Sequence, residues 1–478
     1  MASQRLNGGR ADRPLPTASG ANPTPEGTGT PQSVLNSQTV ARPPRPNRRR
    51  SEPKPRVIAV KGFKSVRDEI SIELRPLTLL CGSNSSGKSA FMQPLLLIKQ
   101  TLEVGYDPGP LLLDGPNVSF GRASEMLWKG KAKADTAKQF SFSYTGTDGE
   151  RSKFTFLLGK GGIDLASLEY TPPLDAGQSI TLRRSLTHEQ LREFVGSPFR
   201  EIVDRDANSR LQVERQRCFF EIRFQSSPGR YITLPIGTST LVQDQATSLL
   251  HLPGLRDLPA RLYPATRAGR VFPGPFHPYV ASVIATWAEG SSSALIGLNQ
   301  DLQALGLTWK VEAQKVGDTK VALRVGRLTQ PQQGGARDLV NIADVGLGVS
   351  QTLPVLVALR AAASGQIVYL EQPEIHLHPR AQVALGPVLV GAARRGVIVV
   401  CETHSHLLVR SIQAQTAGDQ LDPALVALHW FTRDGQGVTQ VTSGGLDNAG
   451  TYGDWPLDFN DVELGLENDY LDLIQRAW

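Results

Sequence analysis

The sequence predicts an α/β fold: a parallel core sheet carrying a phosphate-binding loop, joined to an antiparallel, β-rich part. Three observations carry that expectation. First, Gly82-Ser83-Asn84-Ser85-Ser86-Gly87-Lys88-Ser89 is a complete Walker A loop, set between an apolar run (Pro76 to Cys81) and a helical stretch (Lys88 to Glu103) with Phe91, Leu95, Leu96, Ile98 and Leu102. Second, from Val340 the chain alternates helix and strand: Gln351 to Ala363, Gln366 to Leu370, Arg380 to Arg395, Val397 to Cys401 and a helix from Ser405. Third, residues 104 to about 250 hold short period-2 runs, such as Phe140 to Tyr144, Lys153 to Leu158 and Cys218 to Ile222, the pattern of antiparallel sheet.

Taken in order, the first 56 residues hold ten basic side chains, Arg48-Arg49-Arg50 among them, against three acidic ones, a net of +7 within a chain of net charge +6. The remaining 422 residues are therefore close to neutral, and basicity belongs to the tail. That tail is rich in Pro, Gly, Ser and Thr and lacks apolar periodicity, so it cannot bury enough surface to offset its ordering entropy and is expected to be disordered. Its arginines suit phosphates or an acidic partner as well as plain solvation. No apolar run reaches the roughly 18 residues that span a bilayer, and the start lacks a signal peptide's apolar core, so the expectation is a cytoplasmic chain with no membrane contact. Cys81, Cys218 and Cys401 are too few and scattered for a disulfide framework or a zinc site; Cys81 and Cys401 end apolar strands, where packing is the default role.

Order is expected from Arg56, where Val57 to Val60, the turn Lys61-Gly62-Phe63-Lys64-Ser65 and Ile70 to Leu74 form a strand pair feeding the loop strand. In the loop, glycines let successive N–H groups turn toward phosphate oxygens, the helix N-terminus adds positive charge, Lys88 reaches the outer phosphates and the Ser89 hydroxyl suits Mg²⁺. Residues 278–307 turn helical, and Thr308 to Val325 form a hairpin about Val316-Gly317-Asp318-Thr319. No heptads run through the middle segment, which excludes a long coiled-coil arm. Pro387 is expected to kink the helix that contains it.

Three motifs follow in the order a composite nucleotide site needs. The loop Asn341 to Gln351 brings Gly346, Gly348, Ser350 and Gln351 to a helix start, where N–H groups and a hydroxyl can meet a phosphate. The run Ile367-Val368-Tyr369-Leu370 ends in Glu371, a Walker B pattern in which the acid holds Mg²⁺ through water opposite Ser89; Gln372 and Glu374 follow. The run Val397 to Cys401 ends in Glu402-Thr403-His404-Ser405, which aims His404 toward a γ-phosphate. His376 and His378 lack companions at metal-ligand spacing and are read as structural.

In these motifs the chain resembles the ABC-type ATPases of the SMC, RecF and OLD-nuclease group, and Lys61 to Ser65, with Lys64, is similar to the N-terminal strand of SMC heads. More narrowly it resembles the stand-alone bacterial OLD-like AAA15 ATPases, whose final domain of unknown function has a motif similar to Gly453-Asp454-Trp455-Pro456-Leu457-Asp458-Phe459. The resemblance implies an ABC-ATPase head with a β-rich and helical insertion between Walker A and the signature loop. The implied parts are 1–55 tail, 56–135 N-terminal half of the head, 136–330 insertion, 331–420 C-terminal half and 421–478 a terminal hairpin and helix. It further implies ATP and Mg²⁺ as cofactors, with Gly82, Asn84, Ser85, Ser86, Gly87, Lys88 and Ser89 on the nucleotide and Ser89 and Glu371 on the metal. A homodimer is implied too, with Gly348 and Ser350 acting in trans on the partner's ATP.

Two departures from the family matter. Gln372 stands where these ATPases carry a second acid, and an amide cannot accept a proton, so hydrolysis is expected to be slow or Glu374 to supply the carboxylate. Asp458, Asp461, Glu463, Glu467 and Asp469 lack the glycine-rich strand-turn of a Toprim nuclease and are read as a solvated helical face. The leading expectation is an ATP-dependent dimer that regulates a separate nuclease or toxin in a nucleic-acid-linked or anti-phage defence role. A slowly hydrolysing nucleotide-gated scaffold and a DNA-tethering protein acting through its basic tail stay open beside it.

Overall fold

The computed structural model describes residues 55–173, 178–195, 199–205, 209–227, 230–234, 240–266, 269–331, 337–453 and 468–474. These belong to one compact unit, Pro53–Trp478. The basic tail, with Arg48 to Arg50, lies outside the described residues, as do Asp454 to Phe459 of the terminal motif and Asp461, Glu463 and Glu467.

The centre is a six-stranded sheet in the order Leu250–Leu252, Ile367–Glu371, Ile398–Glu402, Leu77–Gly82, Val426–Arg433, Thr439–Gly444. The first five strands are parallel and the last is antiparallel. Parallel strands are covered on both faces, which is why the loop strand is apolar without alternation and every residue of Leu77–Gly82 is buried. Successive side chains point to opposite faces and feed two separate cores. Leu79, Cys81, Val368, Leu370, Val399 and Cys401 enter one; Leu80, Ile367, Tyr369, Ile398 and Val400 enter the other. Burying such a side chain is worth roughly 1.5–3 kcal/mol, against about 1 kcal/mol net for a ladder hydrogen bond, so packing from both sides holds the strands at the centre.

The first core is closed by the helices Val280–Glu289, Ser293–Ala304, Leu347–Ala361, Pro379–Arg394 and Ser405-capped His406–Ala417. The second lies between the loop helix Ser89–Glu103 and a six-stranded antiparallel sheet in the order Ile70–Leu74, Arg56–Lys61, Gln139–Thr145, Arg151–Gly159, Gly162–Thr171, Ile180–Leu182. Strand Arg151–Gly159 alternates half-buried and fully buried residues over its first six positions, as a sheet with one face turned from the core requires. The strands Val311–Val316 and Lys320–Gly326 pair antiparallel as a hairpin, and the helix Pro379–Arg394 runs unbroken past Pro387. Among the described residues no helix is long and apolar enough to cross a membrane.

Strands from the middle and last segments enter the two main sheets: Gln139–Thr145 pairs with Arg56–Lys61, Leu250–Leu252 forms the outer edge of the parallel sheet, and Val426–Arg433 pairs in parallel with the loop strand. Local periodicity reveals a strand but not its partner, and these partners are separated by tens to hundreds of residues. The pairing has a direct consequence at Gly82, which lies opposite Phe431 with φ +134°; a Cβ there would sit 2.1 Å from the Phe431 carbonyl oxygen. Gly82→Ala should therefore cost about 2–4 kcal/mol, read from denaturant midpoints, whereas Gly346→Ala, whose Cβ meets nothing within 4 Å, should cost far less.

Candidate functional site

The carboxyl ends of the core strands meet at one edge, where open α/β sheets bind ligands. At that edge the loop Gly82–Ser89 leaves its strand and enters the helix Ser89–Glu103, with Lys88 at the N-cap. Ser83, Asn84 and Ser85 are exposed at the crown, while Ser86 and Lys88 are buried. The Lys88 ammonium donates to the carbonyls of Gly82 (3.1 Å) and Ser83 (2.9 Å). Burial lowers its pKa against the pull of Glu402. A clamp from the last hairpin holds the loop: Thr439 Oγ1 donates to the Ser86 carbonyl at 2.9 Å and lies 2.8 Å from Ser65 Oγ, and the Thr439 N–H donates to the Ser65 carbonyl. A Cβ on Gly87, at φ +105°, would collide with Thr439 Oγ1 at 2.3 Å.

Facing Ser89 is Glu402, not Glu371. The Ser89 hydroxyl donates to Glu402 Oε2 at 3.0 Å, and the buried Tyr369 hydroxyl donates to Glu402 Oε1. Burial and then the negative charge of Glu371 push the Glu402 carboxyl up to about 7, against the hydrogen bonds of Tyr369 and Ser89 and the charge of Lys88. Glu371 lies one strand further out. Its Oε1 is 3.2 Å from His251 Nε2 and its Oε2 accepts from the Gly254 N–H at 3.2 Å. Burial raises its pKa, but the hydrogen bond and charge of His251 and the Gly254 N–H outweigh burial, and the net shift is downward. His251 in turn stacks on Tyr369 at 5.3 Å and reaches Asn117 at 3.0 Å, so both acids share one buried scaffold.

The neighbouring residues have structural constraints of their own. Gln372 takes a left-handed φ of 45°, and its N–H donates to the Glu402 carbonyl at 2.8 Å. Glu374 is buried; its Oε1 accepts from Thr403 Oγ1 and from the His404 N–H, both at 2.8 Å, so it shapes the turn that carries His404. Burial raises the Glu374 pKa. Burial and the Lys88 charge lower that of His404, against a hydrogen bond with the Gly82 backbone, which favours a neutral imidazole beside the loop at pH 7. Lys64, at φ 49°, stands 4.8 Å from the Phe120 ring centroid; burial lowers its pKa against the charges of Glu371 and Glu402.

The signature loop differs from its expected presentation. Gly346 caps the helix Leu347–Ala361 and is exposed with Leu347, but Ser350 and Gln351 are buried in their own chain. The Ser350 hydroxyl donates to the Leu347 carbonyl, and the Gln351 amide donates to the Asp257 carbonyl. Those two side chains are packed, and Gly348 is half-buried against the His376 carbonyl, which leaves Gly346 and Leu347 exposed. Arg256, itself buried, donates to the carbonyls of Gln351 (3.0 Å) and Glu371 (3.2 Å), tying this helix to the acid strand. Among the described residues no three or more His, Cys, Asp or Glu form a group that could hold a metal, His376 and His378 included. A hydroxyl and carboxylates are hard oxygen donors, which fit Mg²⁺ completed by nucleotide phosphates and water.

Sequence reading missed Glu402, Tyr369, His251, Arg256 and Thr439. Glu402 had the same signal as Glu371, an acid closing an apolar run, and His251 interrupts the apolar Leu249 to Leu252; Thr439 had no local signal.

Comparison with known proteins matches residues 56–148 to the AAA_15 family, "AAA ATPase domain", and residues 322–410 to AAA_21, "AAA domain, putative AbiEii toxin, Type IV TA system". The two stretches are those that carry the loop, the acid strand and the histidine strand. Its fold is similar to an SMC head bound to the C-terminal winged-helix domain of ScpA, at 12% identity over 83% of this chain and 99% of that one, with a TM-score of 0.45. It is also similar to the SMC head of Thermotoga maritima (12%, 81% and 98%, 0.39) and to an SMC head with an extended coiled coil from Pyrococcus furiosus (10%, 81% and 96%, 0.40). No curated protein matches the chain.

Two outcomes test this geometry. Because folding raises the Glu402 pKa from 4.5 to about 7, the unfolded chain releases that proton first as pH rises. This carboxyl's contribution to stability is thus complete below pH 4.5 and is lost as pH rises to about 7. Glu402→Gln should consequently gain stability relative to wild type across that window in denaturant titrations. Thr439→Val should cost about 1–3 kcal/mol through the unpaired loop carbonyl, with Thr439→Ser near wild type in the same titration.

Proposed function

We propose that the protein binds and hydrolyses Mg-ATP as a head-to-head homodimer whose closure regulates a separate effector. The observation that carries this reading is the convergence of Lys88, Ser89, Glu371, Glu402 and His404 at one edge of one parallel sheet. In this reading the loop amides and Lys88 bind the β- and γ-phosphates, Ser89 and a carboxylate at this edge serve Mg²⁺, and the neutral His404 senses the γ-phosphate. Bound Mg²⁺ would supply charge neutralisation of the phosphates. Lys64 adds positive charge from the N-terminal turn. The exposed Gly346 and Leu347 at a helix start are the surface offered to the partner's nucleotide.

A slowly turning switch is the second reading, and Gln372 favours it. Its backbone is tied to Glu402, and its amide can orient water without accepting a proton. The effector is taken to be a nuclease or toxin in a defence role; support comes from the similarity to AAA_21, a family described by a putative toxin system, and from motifs devoted to nucleotide handling.

Lys88→Ala should lower ATP affinity by about tenfold or more, at least 1.4 kcal/mol, in equilibrium binding, and should abolish turnover. Gly346→Arg projects into open space and should fold normally. Mixed with Lys88→Ala it should restore part of the ATPase rate, since one mixed pair keeps one intact loop facing one intact signature. No restoration argues against trans action. Single-turnover hydrolysis at ordinary ATPase rates, lost in Glu374→Gln, would reject the slow-switch reading.

A further inference from the structure

We propose that Glu402, rather than the Walker B acid Glu371, is the carboxylate that faces the divalent cation of a bound nucleotide. The proposal rests on the nucleotide-binding reading above and assigns its metal side. Strand order sets the distances. Glu402 is level with Leu80 on the adjacent loop strand, and Glu371 is level with Glu402 one strand beyond. With neighbouring strands about 4.8 Å apart, Glu402 lies one spacing from the loop strand and Glu371 two. Ser89 is the loop residue whose hydroxyl suits the cation in this motif, and its Oγ contacts Glu402 Oε2 at 3.0 Å.

The remaining contacts divide the labour in the same way. Both Glu371 oxygens are engaged by His251 and the Gly254 N–H, from the edge strand and the turn after it, and Tyr369 adds a further hydrogen bond. Glu402 has one oxygen oriented by Tyr369 and the other turned toward Ser89. No lysine or arginine forms an ion pair with this buried carboxylate among the described residues. A buried anion without such a partner is costly, and a cation at Ser89 would supply the missing charge next to the free side of Oε2. Glu371 is then a positioning residue: it fixes His251, which stacks on Tyr369, which orients Glu402.

Mn²⁺ in place of Mg²⁺ tests this by paramagnetic resonance, titrated into full-length protein saturated with ADP. Glu402→Gln should weaken Mn²⁺ binding to the ADP complex by about tenfold or more, and Glu371→Gln by less than about threefold. ADP affinity measured in EDTA should be unchanged in Glu402→Gln, which separates loss of the cation from loss of the loop. Glu402→Asp keeps the charge and should retain an intermediate Mn²⁺ affinity, guarding against a variant that fails through packing. Wild-type Mn²⁺ affinity in Glu402→Gln, or equal losses in the two glutamine variants, overturns the assignment while leaving nucleotide binding intact. Wild-type protein that binds no ADP overturns the nucleotide reading itself.

Discussion

The site depends on the register of three parallel strands. Glu371, Glu402 and the start of the phosphate loop reach the same edge because Leu370 pairs with Cys401 and Cys401 with Leu79. That register is held by burial on both faces: a slip of one residue would exchange the residues of the two cores and turn both acids to the opposite face. The loop's first glycine is constrained by the same pairing, since the strand Val426–Arg433 runs so close at Phe431 that no side chain fits at Gly82.

The carboxylates gathered at this edge are held by hydroxyl, imidazole and backbone donors rather than by lysine or arginine ion pairs. Glu371 relies on an imidazole and a backbone N–H, Glu402 on two hydroxyls, and Glu374 on a hydroxyl and a backbone N–H. Such bonds orient a carboxylate while leaving its negative charge for a ligand to meet, whereas an arginine partner would neutralise it. Arg256 is spent instead on two carbonyls, one in the signature helix and one at the end of the acid strand, so a shift of either element is felt by the other. Thr439 plays the corresponding part for the phosphate loop, joining Ser86 to Ser65 of the N-terminal turn.

Much of the fold was legible in the sequence because buried parallel strands are continuous apolar runs and the helices between them are periodic. The phosphate loop was legible residue by residue, since contiguous glycines, lysine and serine act through their own local backbone. The acids were less so. Glu371 and Glu402 both close apolar runs, and nothing in either run says which neighbours the loop strand. Ser350 and Gln351 were expected to face outward, but their helix is packed around nearly its whole circumference, which leaves no exposed stripe from which its faces could be read.

The sequence by itself determined the phosphate loop, the order of the motifs and the α/β class, all carried by spacing within short stretches where chain connectivity guarantees proximity. Tertiary structure alone decided that Glu402 meets Ser89 across 313 residues, that His251 supports Glu371 across 120, and that Thr439 clamps Ser86 across 353. Those contacts follow from strand order and register, which are set by how two cores share one sheet, and no local pattern records the partner that a buried strand will choose.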